Sequence, residues 1–254
     1  MSYKILVLSD LHLGEPSNDN RYPQFLTLID NFLDSDIQEL LFMGDIFDIL
    51  IGNKKFWKKL HPEFFQKLQQ AKEAGKKITW VQGNHDFQIG KLLAPYDVHW
   101  IEEHELIERA SYKIALSHGD LADKRNKLHP HWRRFLTSGL LAAFIKVVPE
   151  FVAEKILYPF TLKLSSASRK ASNHKERIDA ARDTFRSYAN ELQSRYGADL
   201  VILGHSHISD KHPLSNKGTY LNLGSWFESP QVGLIELEPT KIDLKVSSLS
   251  SWLP

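Results

Sequence analysis

The sequence predicts an α/β fold in which a mostly parallel sheet is crossed by helices. Two observations predict it. Short apolar runs alternate with segments of helical spacing through the first half of the chain. Five apolar runs end in clusters rich in glycine and in aspartate, asparagine or histidine, as strands do where they feed a crevice at one edge of such a sheet. The chain of 254 residues is long enough for one large domain with a substantial core.

KILVLSD (Lys4 to Asp10) reads as the first strand and FLTLIDNFLD (Phe25 to Asp34) as a helix. ELLFMGD (Glu39 to Asp45) is the next strand. PEFFQKLQQAKEAGK (Pro62 to Lys76) is a helix stopped by Gly75, and KITWVQGNHD follows as a strand. YKIALSHGD and DLVILGHSH are two further strands, the second preceded by the helical pattern IDAARDTFRSYANELQSRY. The tail segments TYLNLGSW, VGLIELEP and KIDLKVSSL suggest antiparallel strands. Between the two groups, residues 122–175 carry few strand signals and read as a helical insertion. The core is then expected at 1–121 and 176–254.

Hydrophobic residues make up 42% and charged residues 25%, as in an ordinary soluble globular protein. The net charge of +1 gives no sign of a nucleic-acid track. The absence of cysteine excludes a disulfide framework and thiolate chemistry, and fits a reducing compartment. The start lacks the pattern of a signal peptide, and no apolar run is long enough for a spanning helix. A cytoplasmic protein is expected, peripheral on the inner membrane if residues 135–164 touch it. That apolar patch is interleaved with Lys and Arg. It is open to three readings: packing on the core, gripping an acyl chain, or meeting an anionic membrane surface.

The strand ends carry the chemistry. They read SDLHLG (Asp10, His12), GDIFD (Asp45), GNHD (Asn84, His85, Asp86), SHGD (His118) and GHSH (His205, His207). A lone Asp or His after a strand is ordinarily a cap or turn residue; five such clusters in succession are not. Carboxylate, amide and imidazole donors suit manganese, iron, zinc or magnesium. In extended chain, Asp10 and His12, and likewise His205 and His207, would face the same way. Gly44, Gly83 and Gly204 each precede a candidate ligand and would permit close backbone approach. The ligand positions are too many for one ion but suit two that share a carboxylate, with Asp45 the natural bridge. His61, His99, His104, His129, His131, His174 and His212 lack this context and read as surface or satisfied histidines.

In their order, DLHLG, GDIFD, GNHD, HGD and GHSH resemble the motif set of the calcineurin-like metallophosphoesterase superfamily. The resemblance implies a β-sandwich flanked by helices and a centre of two divalent ions. By motif, Asp10, His12, Asp45 and His207 would hold one ion, and Asp45, Asn84, His118 and His205 the other. His85 would be the catalytic histidine, with Asp86 orienting it. The pattern HPHWRR…SRKASNHK between HGD and GHSH is similar to the UDP-2,3-diacylglucosamine diphosphatases of lipid A synthesis. In those enzymes a helical lid holds the acyl chains while water attacks the α-phosphate. Ser168, Lys170, Asn173 and Lys175 would then contact the sugar and phosphates. Members of that group carry arginine where this chain has His85. A paralogous enzyme acting on another phosphoester, soluble or lipid-linked, is therefore the alternative, with a non-catalytic scaffold as a third reading.

Overall fold

Strand β1 (Tyr3–Leu8) shows how the molecule is layered. Ile5 and Val7 enter one apolar cluster and Leu6 and Leu8 another, because alternate side chains leave a strand on opposite faces. Its parallel neighbour β2 (Glu39–Phe42) divides likewise: Leu41 joins Ile5 and Val7, while Leu40 and Phe42 join Leu6 and Leu8. Strands apolar on both faces need a layer on each side. The computed structural model, which describes residues 2–122, 138–159, 161, 175–227 and 229–253, supplies those layers.

The first sheet places β1 and β2 beside β4 (Lys77–Val81) and β6 (His99–Ile101) on one side. On the other side it places β12 (Gln231–Glu238) and β13 (Lys241–Ser248). The second has the order β10 (Ser209–Pro213), β11 (Thr219–Leu223), β9 (Leu200–Ile202), β8 (Tyr112–Ser117), β7 (His104–Arg109). Ile5, Val7, Leu41 and Val81 of the first sheet meet Ile114, Leu116, Ile202 and Leu221 of the second. Helices α1 (Arg21–Asp34) and α3 (Pro62–Glu73) cover the outer face of the first sheet through Phe25, Leu28, Phe64 and Leu68. A long C-terminal-half helix, Lys175–Tyr196, covers the second through Phe185, Ala189 and Leu192. The result is a β-sandwich flanked by helices.

Several features differ from the sequence reading. The β-sandwich that the motif resemblance implied is present, whereas the single, mostly parallel sheet that the strand–helix alternation suggested is two mixed sheets. β1, β2, β4 and β6 run parallel, as do β8, β9 and β11, and antiparallel strands extend both groups. β12 and β13 are antiparallel as expected. β11 pairs parallel with β9, because the unforeseen β10 makes the return pass outside it. A short helix α2 (Phe56–Leu60) and the two-residue pair β3 (Leu50–Ile51) and β5 (Asp86–Phe87) also carried no period long enough to read. His61 is a satisfied core histidine, stacked on Tyr22 and packed against the tilted Phe47 ring, and burial takes its imidazole down to about 3.

Within the expected insertion, helix α5 (Gly139–Val147) is capped by the Ser138 hydroxyl, which accepts from the Leu141 amide at 3.1 Å. It follows α4 (Gly90–Leu93) in the chain and leads to α6 (Glu150–Val152) and a π-helical turn, Ala153–Leu157. One side of this segment packs against residues 52–57. Ile145 occupies the space beside Gly52, the Lys54 ammonium donates to the Val148 carbonyl, and the Tyr158 ring meets Trp57 edge-on at 5.3 Å. Glu150 accepts from the amides of Lys55 and Phe56 at the start of α2. Its outer side presents Leu140, Phe144, Val147, Phe151 and Ile156 to solvent. The long helix Lys175–Tyr196, α7, begins where the insertion was expected to end.

At the strand-start end of the sandwich, one ion pair joins the sheets. Glu39 of β2 accepts from Arg109 of β7 at 2.6 and 3.0 Å, from Thr79 at 2.7 Å and from Tyr3 at 2.9 Å. Burial alone would raise this carboxyl; Arg109, Thr79 and Tyr3 outweigh it and hold it below its ordinary value. We expect Arg109→Met to destabilise the protein at pH 7 by up to about 3 kcal/mol, because it leaves the buried Glu39 carboxylate without its half-buried charged partner. Denaturant titrations at several pH values check the sign. In the wild type a depressed carboxyl contributes stability above its unfolded pKa and loses it as pH falls through the folded one. That acid-dependent loss should shrink in Arg109→Met.

Candidate metal centre

The crevice lies where strand ends of both sheets converge. β1, β2 and β4 are parallel neighbours in one sheet, and β8 and β9 in the other, so their C-terminal ends lie together. The loops beyond are laced by backbone hydrogen bonds. Asp10 N donates to Gly44 O, His12 N to Asp45 O, Leu50 N to His85 O, and Gly204 N to His118 O. The expectation that Asp10 and His12, and His205 and His207, share a face of extended chain fails. Asp10 (φ 52°), His12 (46°), Asp45 (54°), His205 (63°) and His207 (59°) all occupy the left-handed region. The sharp turn at 10–12 brings Asp10 and His12 into one group of donors, while that at 205–207 sends His205 and His207 into two different groups; both use a conformation uncommon for residues that carry a side chain. Two glycines make this possible. A Cβ on Gly44 (φ 90°) would lie 2.5 Å from His118 Nδ1, and one on Gly83 would lie 2.1 Å from Asp45 Oδ1.

Three groups of donor atoms result: Asp10, His12 and His207; His12, Asp45 and His85; and Asp45, His118 and His205. Within each, the donor atoms lie within 4.8 Å of one another. Asn84 joins the third, its Oδ1 lying 2.8 Å from His205 Nδ1 and 3.4 Å from His118 Nε2. Asp45 belongs to two groups. Its Oδ1 accepts from the His85 amide at 2.8 Å; its Oδ2 lies 3.3 Å from His118 Nε2 and 3.8 Å from His12 Nε2. Asp10 accepts from the Ser9 hydroxyl and from the His205 amide at 2.9 and 3.1 Å, and its Oδ1 lies 3.4 Å from His207 Nε2.

The protonation pattern fits a cation. His118 Nδ1 lies 2.8 Å from the Met43 carbonyl, which can only accept, so Nδ1 carries the proton. In the neutral ring Nε2 then faces two oxygens with a lone pair, a convergence of acceptors that a metal ion would satisfy. Without one, burial lowers this imidazole but the Asp45 charge wins and lifts it to about 9. Burial works against Asp45 too, yet His118 and the other imidazoles hold it well below the carboxylate range. His12 is driven far down by burial and stays neutral, the form that ligates.

His85 is at the centre, its ring edge-on to His12 at 4.7 Å. Its Nδ1 donates to the Asp48 carbonyl at 2.7 Å, which leaves Nε2 for other partners. The expected orienting role of Asp86 is not what the geometry shows. The Asp86 carboxylate accepts from the amides of Gly83 (2.7 Å) and Ile46 (3.0 Å) and from the Trp80 indole (3.1 Å), and so ties the turn together. Burial, then the Asp45 charge, raises it to about 7. Sequence reading missed Asp48, because a backbone carbonyl leaves no signature in residue type. It also missed Asn222, whose amide donates to Gly204 O (2.8 Å) and accepts from Gly224 N (2.9 Å) beneath the GHSH turn. Ser168, Lys170 and Asn173 lie outside the described residues. Lys175 opens α7, and its side chain lies outside them too.

Residues 3–209 match the Calcineurin-like phosphoesterase family. The chain belongs to that family. This calcineurin-like phosphoesterase is a metal-dependent phosphoester hydrolase. It is 24% identical over 256 residues to a UDP-2,3-diacylglucosamine hydrolase of Psychromonas ingrahamii, covering 98% of this chain and 99% of that protein. It is 26% identical over 249 residues to a protein of the same name from Shewanella loihica, covering 96% of each. Compared with solved structures, it aligns with a dimetal phosphatase from Danio rerio at a TM-score of 0.48 and 15% identity over 97% of this chain and 96% of the other.

Proposed function

We propose that this phosphoesterase hydrolyses UDP-2,3-diacylglucosamine to UMP and 2,3-diacylglucosamine 1-phosphate with two divalent ions, manganese foremost. Iron, zinc or magnesium would also suit the donors. The likeness to hydrolases of that name over nearly the full length of both chains carries this reading. Asp10, His12, Asp45 and His207 would hold one ion, and Asp45, Asn84, His118 and His205 the other. When bound, the ions supply the charge that activates water and neutralises phosphoryl oxygens. His85, fixed at Nδ1 by Asp48, turns Nε2 to the substrate and delivers a proton to the leaving phosphate oxygen as the α-phosphorus bond to it breaks.

Residues 122–175 would serve as a lid, with Ser168, Lys170, Asn173 and Lys175 reading sugar and phosphates. The exposed Leu140, Phe144, Val147 and Phe151, flanked by Lys146 and Lys155, favour contact with an anionic membrane surface. Peripheral attachment at the inner face of the membrane follows. Among the described residues no helix is long and apolar enough to cross a membrane. The second reading, a paralogous enzyme with another phosphoester substrate, is favoured by His85 standing where the diphosphatases carry arginine. Arg and His differ in charge and reach, so the exchange is not conservative. A scaffold is disfavoured by the complete ligand set.

Mass-spectrometric product analysis with UDP-2,3-diacylglucosamine in mixed micelles plus Mn²⁺ tests the choice. UMP and the diacyl sugar 1-phosphate, absent with Asp45→Asn, support the first reading. No turnover in a sample that still cleaves bis-p-nitrophenyl phosphate supports the second.

A further inference from the structure

We propose that Arg21 is a positioning residue of the metal centre, holding the loop and the ring of His12 and thereby setting the affinity of the ion that His12 ligates. The inference rests on the reading of His12 as a ligand. A ligating histidine ordinarily donates its second ring N–H to a carbonyl or carboxylate, which fixes the ring. The ligand candidate His118 has such a partner in Met43 O, and the catalytic candidate His85 is held in the same way by Asp48 O. His12 is not: among the described residues its buried Nδ1 has no hydrogen-bond partner, and Asp48 Oδ1 lies 3.8 Å away. Something else must hold this ring.

The Phe227 ring stacks on it, with centroids 5.3 Å apart and planes 25° apart, and the Arg21 guanidinium lies 4.7 Å over the Phe227 centroid. The same guanidinium grips the backbone. Nη1 donates to Leu11 O and Nη2 to His12 O, both at 2.9 Å. Nε and Nη2 donate to the two oxygens of Asp19 at 2.9 and 2.6 Å, and Asp19 accepts from the Gly14 amide at 2.9 Å. Arg21 and Asp19 thus bracket residues 11–14 from both sides and enforce the left-handed turn at His12. A lysine would keep the charge but lack the planar fork that makes these bonds together.

The test uses the full chain, stripped of metal and titrated with Mn²⁺ against a chelating dye. Wild type, Arg21→Lys and Phe227→Leu are compared, with the thermal midpoint of each stripped protein recorded. Both variants should weaken one of the two binding steps about 10- to 100-fold and leave the other unchanged. Midpoints should move little, and kcat on bis-p-nitrophenyl phosphate should recover at saturating Mn²⁺. A lowered midpoint with unchanged Mn²⁺ affinity would make Arg21 a merely structural residue and overturn the proposal. Should Arg21→Lys not fold, Phe227→Leu, at a position 45% exposed, decides. A wild type that binds no Mn²⁺ would remove the metal-centre reading and this one with it. A wild type that binds, beside variants that bind equally well, would remove this one alone.

Discussion

Asp45→Asn should abolish most phosphodiesterase activity, lowering kcat/KM on bis-p-nitrophenyl phosphate on the order of 10³-fold or more. The substitution preserves shape and can keep an acceptor for the His85 amide, so the fold should survive. It removes the carboxylate charge that lies within 4 Å of both His118 and His12. An amide offers one neutral oxygen where the carboxylate offers two charged ones, so it cannot serve two ions equally. Losing several kcal/mol of charge stabilisation corresponds to that fall, since each 1.36 kcal/mol is tenfold in rate. Metal content measured on the same samples should fall in parallel. Full activity in Asp45→Asn would show that Asp45 is not shared between ions.

His85→Ala should separate metal binding from catalysis. The bond from His85 to Asp45 comes from its backbone amide, which alanine retains, while the ring is tied to Asp48 O. Ions should therefore stay bound while kcat falls about 10²- to 10⁴-fold, the usual worth of a positioned acid or base. The comparison of kcat with bound manganese in wild type and variant checks this. An inactive variant that has also lost its ions would show that the His85 ring is a ligand, as its place beside His12 and Asp45 permits.

The candidate site was more legible than the architecture around it. Asp10, Asp45, Asn84, His118 and His205 announce themselves because each follows an apolar run, and the crossover pattern brings strand ends together. What residue types do not encode is backbone handedness. Asp10 and His12 meet through left-handed turns rather than along an extended strand, and the same handedness at 205 and 207 parts His205 from His207. Nor does adjacency encode direction: Asp86 follows His85 in the chain but faces Gly83, Ile46 and Trp80. Periodicity also cannot tell one sheet from two. Ile5 and Leu6 are equally buried, and only the packing shows that one faces the second sheet and the other the helices. The strands missed, such as β6 and β10, are short or polar, and take their conformation from neighbours rather than from propensity.

The most direct test is native mass spectrometry of the metal-stripped protein titrated with Mn²⁺. Two ions per chain are expected for the wild type and for His85→Ala, and fewer for Asp45→Asn. A wild type that takes up one ion or none would contradict the shared-carboxylate centre.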